Sequence, residues 1–377
     1  MSIKAIKFVG PVMDHSGYGA ASRANILSIH KKGFPICVEP HCFERNQTAV
    51  GSVEDRQTMD ELISKASSME YDAVVSQLTP DIALMHREPG KYNISYFAWE
   101  LSVVHPKWVE CLNLMDEIWI PSDWNITALK NSGVRKPIFK VPHGIELNKF
   151  DSINSNTTIP GIDTDTFKFY SIFQWQPRKN PEALLRAYFN AFTVNDNVVL
   201  VLKTYFSQGG QQEQNSMIER IKYIKKDMLM PSYPRVVLIT DVLPGDQILS
   251  LHKSMDCFVS MSHSEGWGLT PFEAGLAGKP VIATGATGNM EFMTVDNSYP
   301  VDFQWEYTHD MSNFNRWYLG YGQWASPSEV HAAKLMRHVY NNRQEAKDKG
   351  SRLRERIISE FNYDKIADIM IGRLTSI

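Results

Sequence analysis

Two successive series of short apolar runs, interleaved with helical patterns, constrain this chain more than any other feature. In the first series, strands are expected over 5–10, 34–39, 72–78, 93–98, 116–121 and 138–142, with helices over 18–31, 57–67, 105–114 and 124–132. In the second, strands are expected over 167–173, 197–203, 235–240, 256–261 and 280–284, with helices over 181–192, 213–226, 245–254 and 271–277. Runs such as Cys257-Phe258-Val259 are apolar at successive positions, as strands covered on both faces must be. Strands that alternate with helices make a parallel sheet flanked by helices. The stretch 151–166 (DSINSNTTIPGIDTDT) has no apolar period and reads as a linker. A chain of 377 residues is long for one core and suits two. The expectation is an α/β chain with domains over 1–155 and 165–345 facing each other across a cleft. The aromatic stretch 301–325 reads as a packed loop. Ser326-Pro327-Ser328-Glu329 has the residue order of a helix start, and 343–374 reads as mostly helical.

The loop Ser264-Glu265-Gly266-Trp267-Gly268-Leu269-Thr270-Pro271-Phe272-Glu273 carries the chemistry. It reads as a strand end, a tight glycine turn and a helix start. Thr270 is expected as N-cap, Pro271 as the first helical residue and Glu273 as the acid of a capping box. A helix start reached this way offers free backbone N–H groups to an anion such as a diphosphate. It lies at the carboxyl end of a strand, where open α/β sheets bind ligands. Glu265 has no cap to make, which favours a functional role. Glu273 is either the capping acid or a ligand contact. Lys203 follows the apolar run Val198-Val199-Leu200-Val201-Leu202. At the carboxyl edge of its strand it can point into the cleft and hold phosphates; the alternative is a solvated surface lysine.

The two acids, with seven residues between them and Gly-x-Gly after the first, closely resemble the donor-site motif of the retaining glycosyltransferases of family 4. The resemblance extends over most of the chain. It implies a GT-B-like fold of two Rossmann-like domains, the first on the acceptor side and the second binding a nucleotide sugar. It also implies that a last helix, about 356–377, packs back on the first domain. By the same resemblance, Glu265 faces the donor sugar and Glu273 bonds the ribose hydroxyls. The backbone of Gly266, Trp267, Gly268, Leu269 and Thr270 then holds sugar and diphosphate. Trp175-Gln176-Pro177-Arg178-Lys179-Asn180-Pro181 resembles the family segment in which a lysine, here Lys179, contacts the diphosphate. Many relatives carry another basic residue soon after this domain's first strand, where this chain has Phe173-Gln174-Trp175. Either Arg178 takes over, or the diphosphate has fewer cationic contacts.

Gly17-Tyr18-Gly19, flanked by Asp14 and Arg23, matches the family's glycine loop near the donor phosphate or the acceptor. Asp241-Val242-Leu243-Pro244 matches by position the backbone that recognises the base, through Val242 and Leu243; an ordinary strand-to-helix turn fits it equally. Glu100, in Trp99-Glu100, stands where many members place a His. It contacts sugar or acceptor, or is a solvated loop acid. His105 is its rival, unless His105-Pro106 only starts a helix. His143, in Pro142-His143-Gly144, reads as a structural turn residue at the domain junction.

The implied activity is a metal-independent, retaining transfer from a nucleotide-sugar donor to a glycan or other hydroxyl acceptor, with no cofactor. Glu265, Lys179 and Glu100 form the catalytic set. The family's commonest setting is glycan or polysaccharide assembly. Net charge is -3, from 39 basic and 42 acidic side chains, which disfavours nucleic acid as a partner. A local basic patch would revive transfer to a modified DNA base. A same-fold phosphorylase or nucleotide-sugar hydrolase is a weaker alternative, and a non-catalytic module that binds nucleotide sugars is opposed by the intact acid pair and lysines. Cys37, Cys42, Cys111 and Cys257 are scattered and no His cluster has ligand spacing, so no metal site is expected. The start is no signal peptide and no run has transmembrane length. A cytoplasmic protein with at most weak membrane association is expected.

Overall fold

The computed structural model describes residues 2–43, 52–145, 147–153, 158–206, 211–241, 243–309, 311 and 314–377. The chain divides into two compact units. One comprises Met1–Asn148, Tyr307–Gln323 and Ser359–Ile377; the other comprises Lys149–Glu306 and Trp324–Ile358.

In the first unit, β1 (Ile6–Gly10), β2 (Ile36–Pro40), β3 (Ala73–Ser76), β4 (Tyr92–Tyr96), β5 (Glu117–Ile120) and β6 (Ile138–Lys140) form one parallel sheet, ordered β2-β1-β3-β4-β5-β6. The apolar runs are these strands, with Phe8, Val38, Val75, Ile94 and Ile118 buried. The short helix Pro80–Met85 is too brief for a sequence period to reveal. The C-terminal helix Tyr363–Thr375 packs on the helix Gly17–Lys31. Arg373 there meets the fully buried Glu117 of β5, with Nε to Oε1 at 2.9 Å and Nη2 to Oε2 at 2.6 Å. Trp119 Nε1 and Tyr92 Oη also donate to Glu117, at 2.7 and 3.1 Å. A carboxylate without water needs that many partners.

In the second unit, β7 (Phe167–Gln174), β8 (Val198–Tyr205), β9 (Arg235–Ile239), β10 (Cys257–Ser260), β11 (Val281–Thr284) and β12 (Tyr299–Val301) form a second parallel sheet, ordered β12-β11-β10-β7-β8-β9. Phe169, Tyr188, Phe189, Phe192, Leu200, Val259, Ile282 and Met336 build its core. The strand order reverses at β7, between β8 and β10, and a crevice opens at such a switch point.

Four expectations differ from what is observed. The described residues of 151–166 belong to the second unit, where Lys253 Nζ donates to the carbonyls of Phe150 and Ile153 at 2.6 and 2.7 Å. Residues 307–323 belong to the first unit, because Trp317 packs on Trp108 and Tyr318 on Trp99. The aromatic stretch also supplies two strands, β13 (Phe303–Tyr307) and β14 (Gln323–Pro327), that pair as a ribbon. Pro327 therefore ends a strand. Ser328 caps the next helix, accepting from the His331 amide at 3.2 Å.

Candidate active site

The carboxyl end of β7 leads into a 3-10 turn, Pro177–Lys179, and then the helix Pro181–Ala191. Asn180 joins them in the left-handed region, φ 50°, which asparagine tolerates, and its side chain caps the helix through the Ala183 amide. This turn is tied to the loop after β10, because the His263 amide donates to the Arg178 carbonyl at 2.8 Å. Arg178 Nη1 donates to the Ser264 carbonyl at 2.7 Å and to Glu265 Oε2 at 3.1 Å. Lys179 Nζ donates to Glu265 Oε1 at 2.5 Å. Glu265 is 8% exposed. Burial alone would push its carboxyl up, but the charges of Lys179 and Arg178 outweigh that and hold it down at about 2. Arg178 thus presents a buried guanidinium to the same acid as Lys179.

The helix after the glycine loop spans Leu269–Leu276, two residues earlier than its sequence suggests. Gly268, at φ 93°, is the N-cap, and no side chain caps it. Thr270 is thus the second helical residue, and Glu273 lies too far into the helix for a capping box. Glu273 Oε2 instead lies 3.4 Å from Nε2 of His252. The Trp267 indole is packed against Phe272 and Phe292, so its backbone is what a ligand could use. The loop is braced from behind by Thr287–Glu291. The Gly288 amide donates to the Glu265 carbonyl at 2.8 Å, and a Cβ on Gly288 would overlap the Gly266 carbonyl. The Glu265 amide donates to Thr287 Oγ1 at 3.0 Å, while Thr287 itself sits at φ 67°, rare for a β-branched residue. Sequence reasoning missed Thr287, Gly288 and His252. The signal for the first two was Gly285-Ala286-Thr287-Gly288 after an apolar run.

Lys203 does not end its strand: Thr204 and Tyr205 continue β8. It is 4% exposed, with Nζ 5.2 Å from the centroid of the Tyr205 ring. Burial pushes its ammonium below the ordinary value, with Asp241 partly opposing. Lys203 is in none of the ion pairs found among the described residues. Val242 lies outside the described residues; Leu243 is half-buried, ahead of a helix that Pro244 starts without a side-chain bond.

The remaining candidates belong to the first unit. Gly17 is the exposed first residue of its helix, capped by Ser16. Neither Gly17 nor Gly19 has positive φ. Gly19 is needed for close approach instead, since a Cβ there would strike the Asp14 carbonyl. Arg23 Nη1 braces the same loop through the Val12 and Asp14 carbonyls at 2.9 and 2.7 Å. Glu100 is half-buried and accepts from Tyr318 Oη at 3.2 Å. His105 caps the helix Pro106–Leu112. His143 is buried beside Tyr96 Oη at 3.1 Å, and burial pushes its imidazole down to about 4, as for a structural residue. Among the described residues, no three of His, Cys, Asp and Glu gather as metal ligands.

Residues 153–298 match the model of the family described as Glycosyl transferases group 1. Alpha-monoglucosyldiacylglycerol synthase of Streptococcus pneumoniae is 27% identical over 184 residues, 46% of this chain and 38% of that protein. D-inositol 3-phosphate glycosyltransferase of Acidothermus cellulolyticus is 22% identical over 151 residues, 39% of this chain and 33% of that protein. The chain thus spans about a third of the length of the curated relatives it matches. Among solved structures, Anabaena HepE in complex with UDP-glucose has a TM-score of 0.68 at 14% identity, covering 99% of this chain and 100% of that one. Sucrose-phosphate synthase from Thermosynechococcus elongatus has a TM-score of 0.70 at 13% identity, covering 98% of each chain. The match to the group 1 model lies within the second unit, and the chain has the two-domain α/β fold of these solved structures.

Proposed function

We propose that this chain, which carries a group 1 glycosyl transferase domain, moves a sugar from a nucleoside-diphosphate donor to a hydroxyl acceptor, with retention of configuration and without a metal ion. The observation that carries the reading is Glu265, ionised and buried between Arg178 and Lys179 next to an uncapped helix start at the switch point of a parallel sheet. Arg178, Lys179 and Lys203 are the cations offered to a diphosphate, a ligand of matching charge. During transfer, Arg178, Lys179 and Lys203 take up the charge that grows on the leaving diphosphate, and the N–H groups of Gly268, Leu269 and Thr270 add the helix-start dipole. That is the task a divalent cation performs in metal-dependent transferases.

Glu265, fixed by its two cations, accepts hydrogen bonds from the donor sugar and orients the ring. A carboxyl held at about 2 is a poor proton acceptor, so the leaving diphosphate, not Glu265, takes the acceptor's proton. Glu273 holds the ribose hydroxyls, while Gly17, Gly19 and Glu100 serve on the acceptor side. The Glu-x7-Glu spacing supports retention, and the UDP-glucose bound by the Anabaena protein makes uridine nucleotides the first donors to test. The setting is cytoplasmic glycan or polysaccharide assembly; among the described residues no helix is long and apolar enough to cross a membrane.

Calorimetry against nucleoside diphosphates and nucleotide sugars, with and without EDTA, tests the reading, followed by mass spectrometry of products with hydroxyl acceptors. The expected result is a nucleotide that binds equally in EDTA and whose sugar is transferred. Binding that EDTA abolishes would overturn metal independence. No binding across the panel would overturn the donor site.

A further inference from the structure

Glu273 is backed by a buried pair that the proposed mechanism does not use. His252, on the helix Gly245–Ser254, and Tyr170, on β7, are both fully buried. Tyr170 Oη lies 2.8 Å from His252 Nδ1. The other ring nitrogen, Nε2, has no hydrogen-bond partner among the described residues, and it lies 3.4 Å from Glu273 Oε2. Burial pushes the Tyr170 phenol well above its ordinary value, so it keeps its hydrogen. Among the described residues that O–H has no other acceptor, so it donates to Nδ1. The ring hydrogen is then on Nε2, the nitrogen that lies 3.4 Å from the carboxylate oxygen. The opposite tautomer would leave a buried O–H without an acceptor and a lone pair against an anion. Phe258 packs against both rings, with centroids at 5.2 and 6.1 Å.

We infer that Tyr170 and His252 are positioning residues that hold one oxygen of Glu273 and leave the other for the vicinal hydroxyls of the donor ribose. The inference rests on the nucleotide-sugar reading above. His252 does not touch the ligand; it acts through Glu273, whose side chain remains 26% exposed. A carboxylate already held in one rotamer loses less entropy when the ribose arrives than one that swings freely. The capping box that would otherwise have fixed Glu273 is absent, and His252 takes over its restraint from another helix.

The test is calorimetric titration of the full chain with UDP, ADP and GDP, and with the 2′,3′-dideoxy form of whichever binds. Wild type is compared with His252→Phe, His252→Gln and Tyr170→Phe. In His252→Phe, affinity for the ribonucleotide falls about tenfold, while affinity for the dideoxy form changes less than about twofold. His252→Gln, whose amide N–H can replace that at Nε2, recovers most of the loss. Tyr170→Phe keeps the packing and loses about threefold toward the ribonucleotide alone. Long-range nitrogen–proton spectra of the His252 ring place its hydrogen on Nε2. Equal losses for both nucleotides in a folded variant, or a hydrogen on Nδ1, overturn the inference and leave the donor site standing. Wild type that binds none of the three nucleotides refutes the donor-site reading, and this inference with it.

Discussion

Replacing Glu265 by Gln separates the electrostatics of the site from its shape. Glutamine has the size of a protonated glutamate, so the variant holds at every pH a state that wild type reaches only in strong acid. The Glu265 carboxyl sits at about 2, against an ordinary value of 4.5, because Lys179 and Arg178 outweigh the cost of burial. The difference, 4.5 minus about 2, at roughly 1.36 kcal/mol per pH unit, is about 3 kcal/mol. The folded value lies below the unfolded one, so as pH falls the unfolded chain takes up its proton first. The stabilisation is therefore full above pH 4.5 and is lost as pH falls toward 2. Urea denaturation followed by tryptophan fluorescence should show Glu265→Gln weaker by about 3 kcal/mol at pH 7 and by about 1 kcal/mol at pH 3. A difference that is equal at the two pH values, or under about 0.5 kcal/mol at pH 7, would refute the clamp. In the same variant Arg178 and Lys179 lose their internal anion. Nucleoside diphosphate binding should hold or tighten while sugar transfer collapses.

Other perturbations read other parts of the molecule. Lys203, lowered by burial, should be raised when a diphosphate arrives; at alkaline pH, binding should then take up more protons in wild type than in Lys203→Met, as titration in buffers of different ionisation heat would show. Arg373→Met strands the buried Glu117 and should cost about 3–5 kcal/mol by chemical denaturation, whereas a loss under about 1 kcal/mol would mean the ion pair is not needed to hold the C-terminal helix. Gly288→Ala forces the Gly266 carbonyl aside and should weaken nucleotide binding more than tenfold in calorimetry while the circular dichroism of the fold persists.

Much of this protein was legible in the linear chain. Every expected strand from Ile6 to Thr284 has an observed counterpart, because strands covered on both faces must be apolar at successive positions, and that signal is local. The acid spacing and the Arg178-Lys179-Asn180-Pro181 segment were local too, and they marked the loops that follow β10 and β7. Sequence periodicity could not say that Gly268 rather than Thr270 begins the helix. That choice depends on which residue can take positive φ where the chain leaves the sheet. Contacts between distant residues were equally hidden. Nothing along the chain joins Arg178 to Glu265, 87 positions away, or sets Glu273 against His252. Hydrophobic period and turn chemistry are enough to specify two parallel sheets and the residue types at their edges. Which charges share a buried space follows from the packing of distant segments. Pairing energies in a low dielectric depend on distances of a few ångströms, and those are set by how β7 and β10 lie side by side.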